Sequence, residues 1–207
     1  MQLSALIRAA SLLCLSMLVT ACQTGTPLAD SNWPAHRSQI ETLNDWILQG
    51  RLNIRQQASS DTVSINWQQA DDRFTINLSG ALGLGATLIS GDANAIRLER
   101  ANEVPIIAGS LRELSRDYLG YEFPAQALYY WVRGIPTPDS QADISLNEAQ
   151  LLATLNQTDS QGIRWQLEYD RYSNVSGVNL PGRIRMTHPD YRLTLIIQDW
   201  QHGSGVQ

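Results

Sequence analysis

Few side chains in this 207-residue sequence are placed to do chemistry, and the best placed is the thiol of Cys22. Ahead of it stand Arg8 with no acid in the first eleven residues, an apolar run over 12–19 (LLCLSMLV), and the small residues Thr20 and Ala21. A basic start, a short apolar segment and small residues at a cut site are the layout of a secretory signal. The run is far too short for the roughly 20 apolar residues of a spanning helix. Cleavage there makes Cys22 the first residue and removes Cys14, the other cysteine. No second thiol then remains for a disulfide, even in an oxidising compartment.

The other reactive types are scattered. His36, His188 and His202 lie far apart and lack companions at ligand spacing, so no metal is expected. There is no glycine-rich phosphate loop and no GxSxG elbow, and no cofactor is expected. Glu99, Glu103 and Glu113 are acids with no spacing that singles them out as an acid/base pair. The inventory favours binding over catalysis.

The thiol itself is a candidate for acylation. Val19-Thr20-Ala21-Cys22 resembles a lipobox, which implies diacylation of the Cys22 sulfur, cleavage, and acylation of the new amino terminus. Each buried methylene adds about 0.8 kcal/mol of membrane affinity, and a single chain binds only reversibly. Two or three chains on one residue are a lasting anchor. Gln23 follows, where an Asp is associated with inner-membrane retention in enteric-type bacteria. That sorting rule, carried over by resemblance, implies a lipid anchor in the periplasm-facing leaflet of the outer membrane.

The sequence has fifteen arginines and no lysine, against twenty acids, for a formal charge of −5. The arginines are spread along the chain rather than striped, and a nucleic-acid partner is set aside. Six tryptophans and seven tyrosines outnumber two phenylalanines, a bias that suits either a core or lipid-facing mouths. Three segments are expected: a signal peptide over 1–21, a lipidated N-terminus and flexible tether over 22–32, and one domain over 33–207.

Within that domain, Pro34 and the recurrence of Ile40, Leu43, Trp46 and Ile47 predict a helix from Trp33 to about Leu48. Strict alternation then predicts strands over 48–56, from Val63 to Trp67 and from Phe74 to Leu78, an antiparallel meander with one apolar face. Shorter strands are expected at Thr87–Ile89, Ile96–Leu98 and near 104–108. Ser110 with Glu113 is a capping-box pattern for a helix over 110–119, and Pro124 opens another over 124–132. Strands return at Ile163–Tyr169, at Ile184–Met186 and at Leu193–Ile197, while 150–156 is ambiguous. The whole reads as mainly β with helices (α+β), one curved antiparallel sheet with a short helical cover.

Two features stand out. Residues 80–85 (Gly-Ala-Leu-Gly-Leu-Gly) join two strands yet carry Leu82 and Leu84, where turns are ordinarily polar. They either tuck under the sheet or form an exposed apolar tip that touches a membrane or an acyl chain. The one-face positions Leu52, Ile54, Ile65, Trp67, Phe74, Ile76, Leu78, Leu88, Leu98, Trp165 and Leu195 are the candidate lining of an apolar cavity. The same pattern fits a filled core.

The order and spacing of several short motifs resemble the LolB family of outer-membrane lipoprotein receptors. They are the lipobox with a non-Asp successor, Trp33, Gly50-Arg51-Leu52, Trp67-Gln68-Gln69 and Leu82-Gly83. Leu128, the run Tyr130-Trp131-Val132-Arg133-Gly134-Ile135-Pro136 and Asp199-Trp200 complete the set. Ala81 departs from the family, which has Pro there, and the extra Leu84-Gly85 leaves open which leucine is the tip. The resemblance implies an incomplete, strongly curved antiparallel β-barrel with a helical lid covering an apolar cavity. It further implies a monomer that accepts acylated lipoprotein cargo from a LolA-type periplasmic carrier and delivers it to outer-membrane lipids. Leu82 would inherit the delivery role and Cys22 the anchoring role. A scaffold lipoprotein that binds a protein partner, or a lipid-processing enzyme, are the rival classes; uptake of a fluorescent lipid separates the first and product release the second.

Overall fold

The computed structural model describes residues 28–29, 32–80, 86–92, 94–114, 117–118 and 124–203. Helix α1 (Trp33–Glu41) begins with the Asn32 side chain accepting from the Ala35 amide and with Pro34 in its first turn. It ends at Thr42, six residues short of the expected limit, and β1 (Asp45–Arg55) starts three residues later. Trp46 is the reason. Its place beside Gln69 and His202 in the ladders puts it on the same face as Leu48, so the period is two, not 3.6.

Strands β2 (Ser60–Ala70), β3 (Arg73–Gly80), β4 (Thr87–Gly91), β5 (Ile96–Arg100) and β6 (Ile106–Ala108) follow as a meander. Two short helices come next, α2 (Leu111–Leu114) and α3 (Ala125–Trp131). The capping pattern at α2 is real: Ser110 Oγ accepts from the Glu113 amide, and the Glu113 carboxylate reaches back to the Gly109 amide. The second half holds β7 (Ala142–Leu146), β8 (Leu152–Thr158), β9 (Arg164–Asp170), the hairpin β10 (Ser173–Val175) and β11 (Val178–Leu180), β12 (Arg183–Thr187) and β13 (Arg192–His202).

Eleven strands form one antiparallel sheet in the order β6-β5-β4-β3-β2-β1-β13-β12-β9-β8-β7. The sheet is curled but not closed. Its two edges are consecutive in the chain, apart from α2 and α3. The polypeptide therefore leaves one edge, crosses the opening as helices, and re-enters at the other edge. That topology makes the insert a lid. Curl has a local source at Gly50, where β1 and β13 shift register. A Cβ there would lie 2.3 Å from the Ile196 carbonyl oxygen, so only glycine allows the close approach.

Two buried polar side chains seat the lid. Gln157 on β8 accepts from Trp131 Nε1 (2.9 Å) and the Thr137 amide, and donates to the carbonyls of Thr137 and Ser140. Every polar site on that amide is used. Arg133, only 1% exposed, donates from Nη1 to the carbonyls of Ile40 and Leu43, both at 3.0 Å, and from Nε to Tyr129. Its guanidinium lies 3.9 Å over the Tyr129 ring. Burial holds its pKa below the ordinary arginine value, against the pull of Tyr129, Tyr130 and Glu41.

Arg133→Ala would take a donor from the carbonyls of Leu43 and Ile40, the latter keeping its backbone amide partners, and empty a tightly filled site. The expected loss is about 3 kcal/mol of unfolding free energy, read as a lower urea midpoint. An unchanged midpoint would show that the lid is seated by apolar packing alone.

Candidate functional site

Cross-strand registers define the inner face residue by residue. One row runs Leu48, Trp67, Ile76, Ile89, Leu98, Ile106, and another runs Leu52, Leu195, Ile184, Tyr169. Ten of the eleven residues expected on this face lie on it: Leu52, Ile54, Ile65, Trp67, Phe74, Ile76, Leu78, Leu98, Trp165 and Leu195. Leu88 does not. It stands opposite Asn77 and Glu99 on the outer face, and Ile89 takes the inward place between Ile76 and Leu98. In Thr87-Leu88-Ile89 two adjacent aliphatics leave the phase open, and the pairing of Thr87 with Leu78 sets it.

The inner face is not uniformly covered. Towards the start of β1 it is closed by aromatic contacts. Trp46 lies 5.1 Å from Trp67 and 5.5 Å from Trp200, and Tyr129 of the lid is 6.3 Å from Trp46. Across the sheet, Trp131 of the lid is 5.6 Å from Trp165. The indole N–H groups of Trp67, Trp165 and Trp200 donate to Gln69, Asp159 and the Pro181 carbonyl. Trp46 Nε1 is buried without a partner.

Leu52, Ile65 and Leu78 point inward and are only partly buried, between fully buried neighbours such as Ile54 and Val63. Ile65 faces Leu78 directly, and Leu52 is its diagonal neighbour. Two residues beyond Leu78, Gly80 hands the chain to 81–85. The three aliphatics thus form a wettable apolar patch on the inner wall, beside the connection that carries Leu82 and Leu84. Those two leucines and Cys22 lie outside the described residues.

The alternation of the strand expected over 48–56 already puts Leu48 on this face; Trp46, which also fits the helical stripe of Ile40 and Leu43, and Ile89 join it. Polar groups inside the sheet serve structure: none of the buried polar or charged residues is a carboxylate. Among the described residues no three His, Cys, Asp or Glu side chains gather as a metal site, and no helix is long and apolar enough to cross a membrane.

The inner face is a continuous apolar wall, and similarity to known proteins gives the chain a family. Residues 44–200 match the family model described as outer membrane lipoprotein LolB. The chain belongs to the LolB family. It is 37% identical over 195 residues to the outer-membrane lipoprotein LolB of Stutzerimonas stutzeri, covering 91% of this chain and 92% of that one. The LolB of Pseudomonas syringae pv. syringae is also 37% identical, over 83% and 81% of the two chains. The fold is similar to that of a LolA superfamily protein from Nitrosomonas europaea (TM-score 0.56, 9% identity, 84% and 94% covered). A DUF1329 family protein from Desulfovibrio piger is comparable (TM-score 0.54, 10% identity, 84% and 91% covered). LolB membership makes this an outer-membrane lipoprotein with a role in lipoprotein sorting, a localisation factor and not an enzyme.

One titrating group bears on the seat of the LolB lid. His36 on α1 is 3% exposed, its Nε2 has no partner, and burial holds the imidazole below the ordinary histidine range. The unfolded chain therefore binds the proton more readily, and stability falls as pH drops below about 6.5 towards the folded value. Unfolding midpoints measured from neutral to mildly acidic pH are expected to decline in the natural protein. They should decline less in His36→Phe; equal slopes would remove His36 as the cause.

Proposed function

We propose that the chain is anchored through acylated Cys22 in the periplasm-facing leaflet of the outer membrane. There it accepts acylated lipoproteins from a LolA-type carrier and passes them to the bilayer. The observation that carries this reading is the continuous apolar inner wall of an open sheet, on which Leu52, Ile65 and Leu78 adjoin one another and are only partly buried.

A sixteen-carbon chain exposes on the order of 12 kcal/mol of methylene surface to water at ~0.8 each. Such cargo needs continuous cover from carrier to bilayer. The inner face supplies it without any polar group that a chain would have to displace along Leu52, Ile65 and Leu78. Transfer runs downhill through differential affinity, the carrier holding cargo least tightly and the bilayer most. Leu82, with Leu84 as the alternative, extends the apolar path from the patch to the lipid. Monomeric action suffices, since one curled sheet and its lid make one acceptor surface.

The test is transfer between purified proteins. A carrier loaded with one acylated lipoprotein is mixed with this protein, and pulldown reads which holds the cargo at equilibrium. Cargo should move to the receptor with no added energy; retention on the carrier by a folded receptor would overturn the proposal. Trp67→Asp is expected to abolish acceptance. Because Trp67 also packs on Trp46, Ile65→Glu serves as a milder companion: at least a tenfold drop in uptake with little change in stability.

Leu82→Glu separates the two ends of the path. It should leave acceptance intact and block insertion into vesicles. Insertion at the natural rate by this variant would shift the role to Leu84, or away from the loop if Leu84→Glu also inserts normally.

A further inference from the structure

The outer face of β1, β13 and β12 gathers five of the fifteen arginines: Arg51, Arg55, Arg183, Arg185 and Arg192. Arg183 and Arg185 are matched by Asp170 and Glu168 on β9. Arg51, Arg55 and Arg192 are exposed and make no ion pair among the described residues. Arg55 and Arg192 stand directly opposite each other in the ladder. Like charges at such a position work against folding. Between Arg51 and Arg183 in the same register lies Ile196, one of the few large aliphatics of the fold that is exposed, at 39%. The other acids on this face, Asp45 on β1 and Asp199 on β13, sit towards the opposite end of the strands, where Asp199 accepts from Gln201.

A second observation concerns the tether. Ala29 lies in the stretch expected to be flexible, yet Asn179 on β11 clamps it with two hydrogen bonds, amide to Oδ1 at 2.9 Å and Nδ2 to carbonyl at 2.8 Å. This hairpin sits at the His202 end of the sheet, where His202 Nε2 lies 2.7 Å from the Val175 carbonyl. Gly80 at the end of β3, Thr87 at the start of β4 and the Arg55–Arg192 pair are at the other end. From Trp46 to Arg55 a strand advances about 30 Å. The seven peptide steps from Cys22 to Ala29 reach at most about 25 Å when fully extended. With the clamp closed, the tether reaches no further than about the length of one strand, which favours a domain that lies on a flank over one that stands upright.

We propose that the flank is the arginine face, and that Arg51, Arg55 and Arg192 with Ile196 dock on anionic phospholipid headgroups of the bilayer that holds the anchor. The proposal rests on Cys22 being the anchor. An exposed aliphatic among unmatched guanidiniums fits a headgroup layer, where the charges meet phosphates and the aliphatic meets the acyl boundary.

The experiment uses the lipidated protein with Ser64→Cys, an exposed outer-face neighbour of Arg51, as the single free thiol for a donor dye. Energy transfer to an acceptor-labelled headgroup is read in phosphatidylcholine vesicles with and without phosphatidylglycerol. Transfer should rise with phosphatidylglycerol and collapse in high salt. Each of Arg55→Ser and Arg192→Ser should weaken the docked state about fivefold. The double variant should be no less stable than the parent; a large loss of stability would mark the pair as structural and overturn the proposal. Transfer indifferent to phosphatidylglycerol would also overturn it, as would a dye response only to an added acidic carrier, which would make the face a protein-docking surface. Failure of the protein to float with phosphatidylcholine vesicles at all would instead defeat the anchor reading.

Discussion

The structure turns on a buried cation that makes no ion pair among the described residues. Arg133 is neutralised by backbone: the carbonyls of Ile40 and Leu43, where α1 ends, and that of Tyr129. Carbonyls at a helix C-terminus carry the negative end of its dipole, so a guanidinium is well met there. The tyrosine face below it adds a second favourable surface. Through one side chain the N-terminal helix, the lid and the first strand are held at fixed distances. A lysine could not replace it, because the planar fork is what reaches separate carbonyls at once.

From that joint the rest of the interior follows. Tyr129 touches Trp46, Trp131 touches Trp165, and the two contacts brace the lid against both halves of the sheet. Gln157 fixes the turn after α3 so that β7 can begin at the far edge. Gly134, with a positive φ and a Tyr172 hydroxyl 3.1 Å from where a Cβ would sit, completes the turn. The motif Tyr130–Pro136 is thus mechanical: it positions the cover over the apolar wall and does not itself present a binding surface.

Alternation made β1–β3 and their inward side chains legible, because half-buried antiparallel strands write their two faces into every second residue. It failed where neighbouring positions are both apolar. Trp46-Ile47 satisfied a helical stripe as well as a strand, and Leu88-Ile89 could take either phase. It failed too where strands are short. β7 alternates Ala142, Ile144 and Leu146 with Asp143 and Ser145 over only five residues, and β10 and β11 are three residues each about the Ser176-Gly177 turn, lengths at which a period leaves little mark. The buried roles of Arg133, Gln157 and Asn179 were illegible for a different reason. Each is an ordinary surface residue type whose partners are mostly main-chain groups, and main chain leaves no mark in a sequence.

The two free edges of the sheet have one more consequence. A barrel closed by hydrogen bonds has a fixed bore, since widening it breaks a ladder. Here no ladder joins β6 to β7, and the gap is bridged by the lid. Its width is governed by side-chain packing, which can loosen or tighten without a single backbone hydrogen bond being lost. The vessel is elastic along one seam only, and that seam runs under the lid.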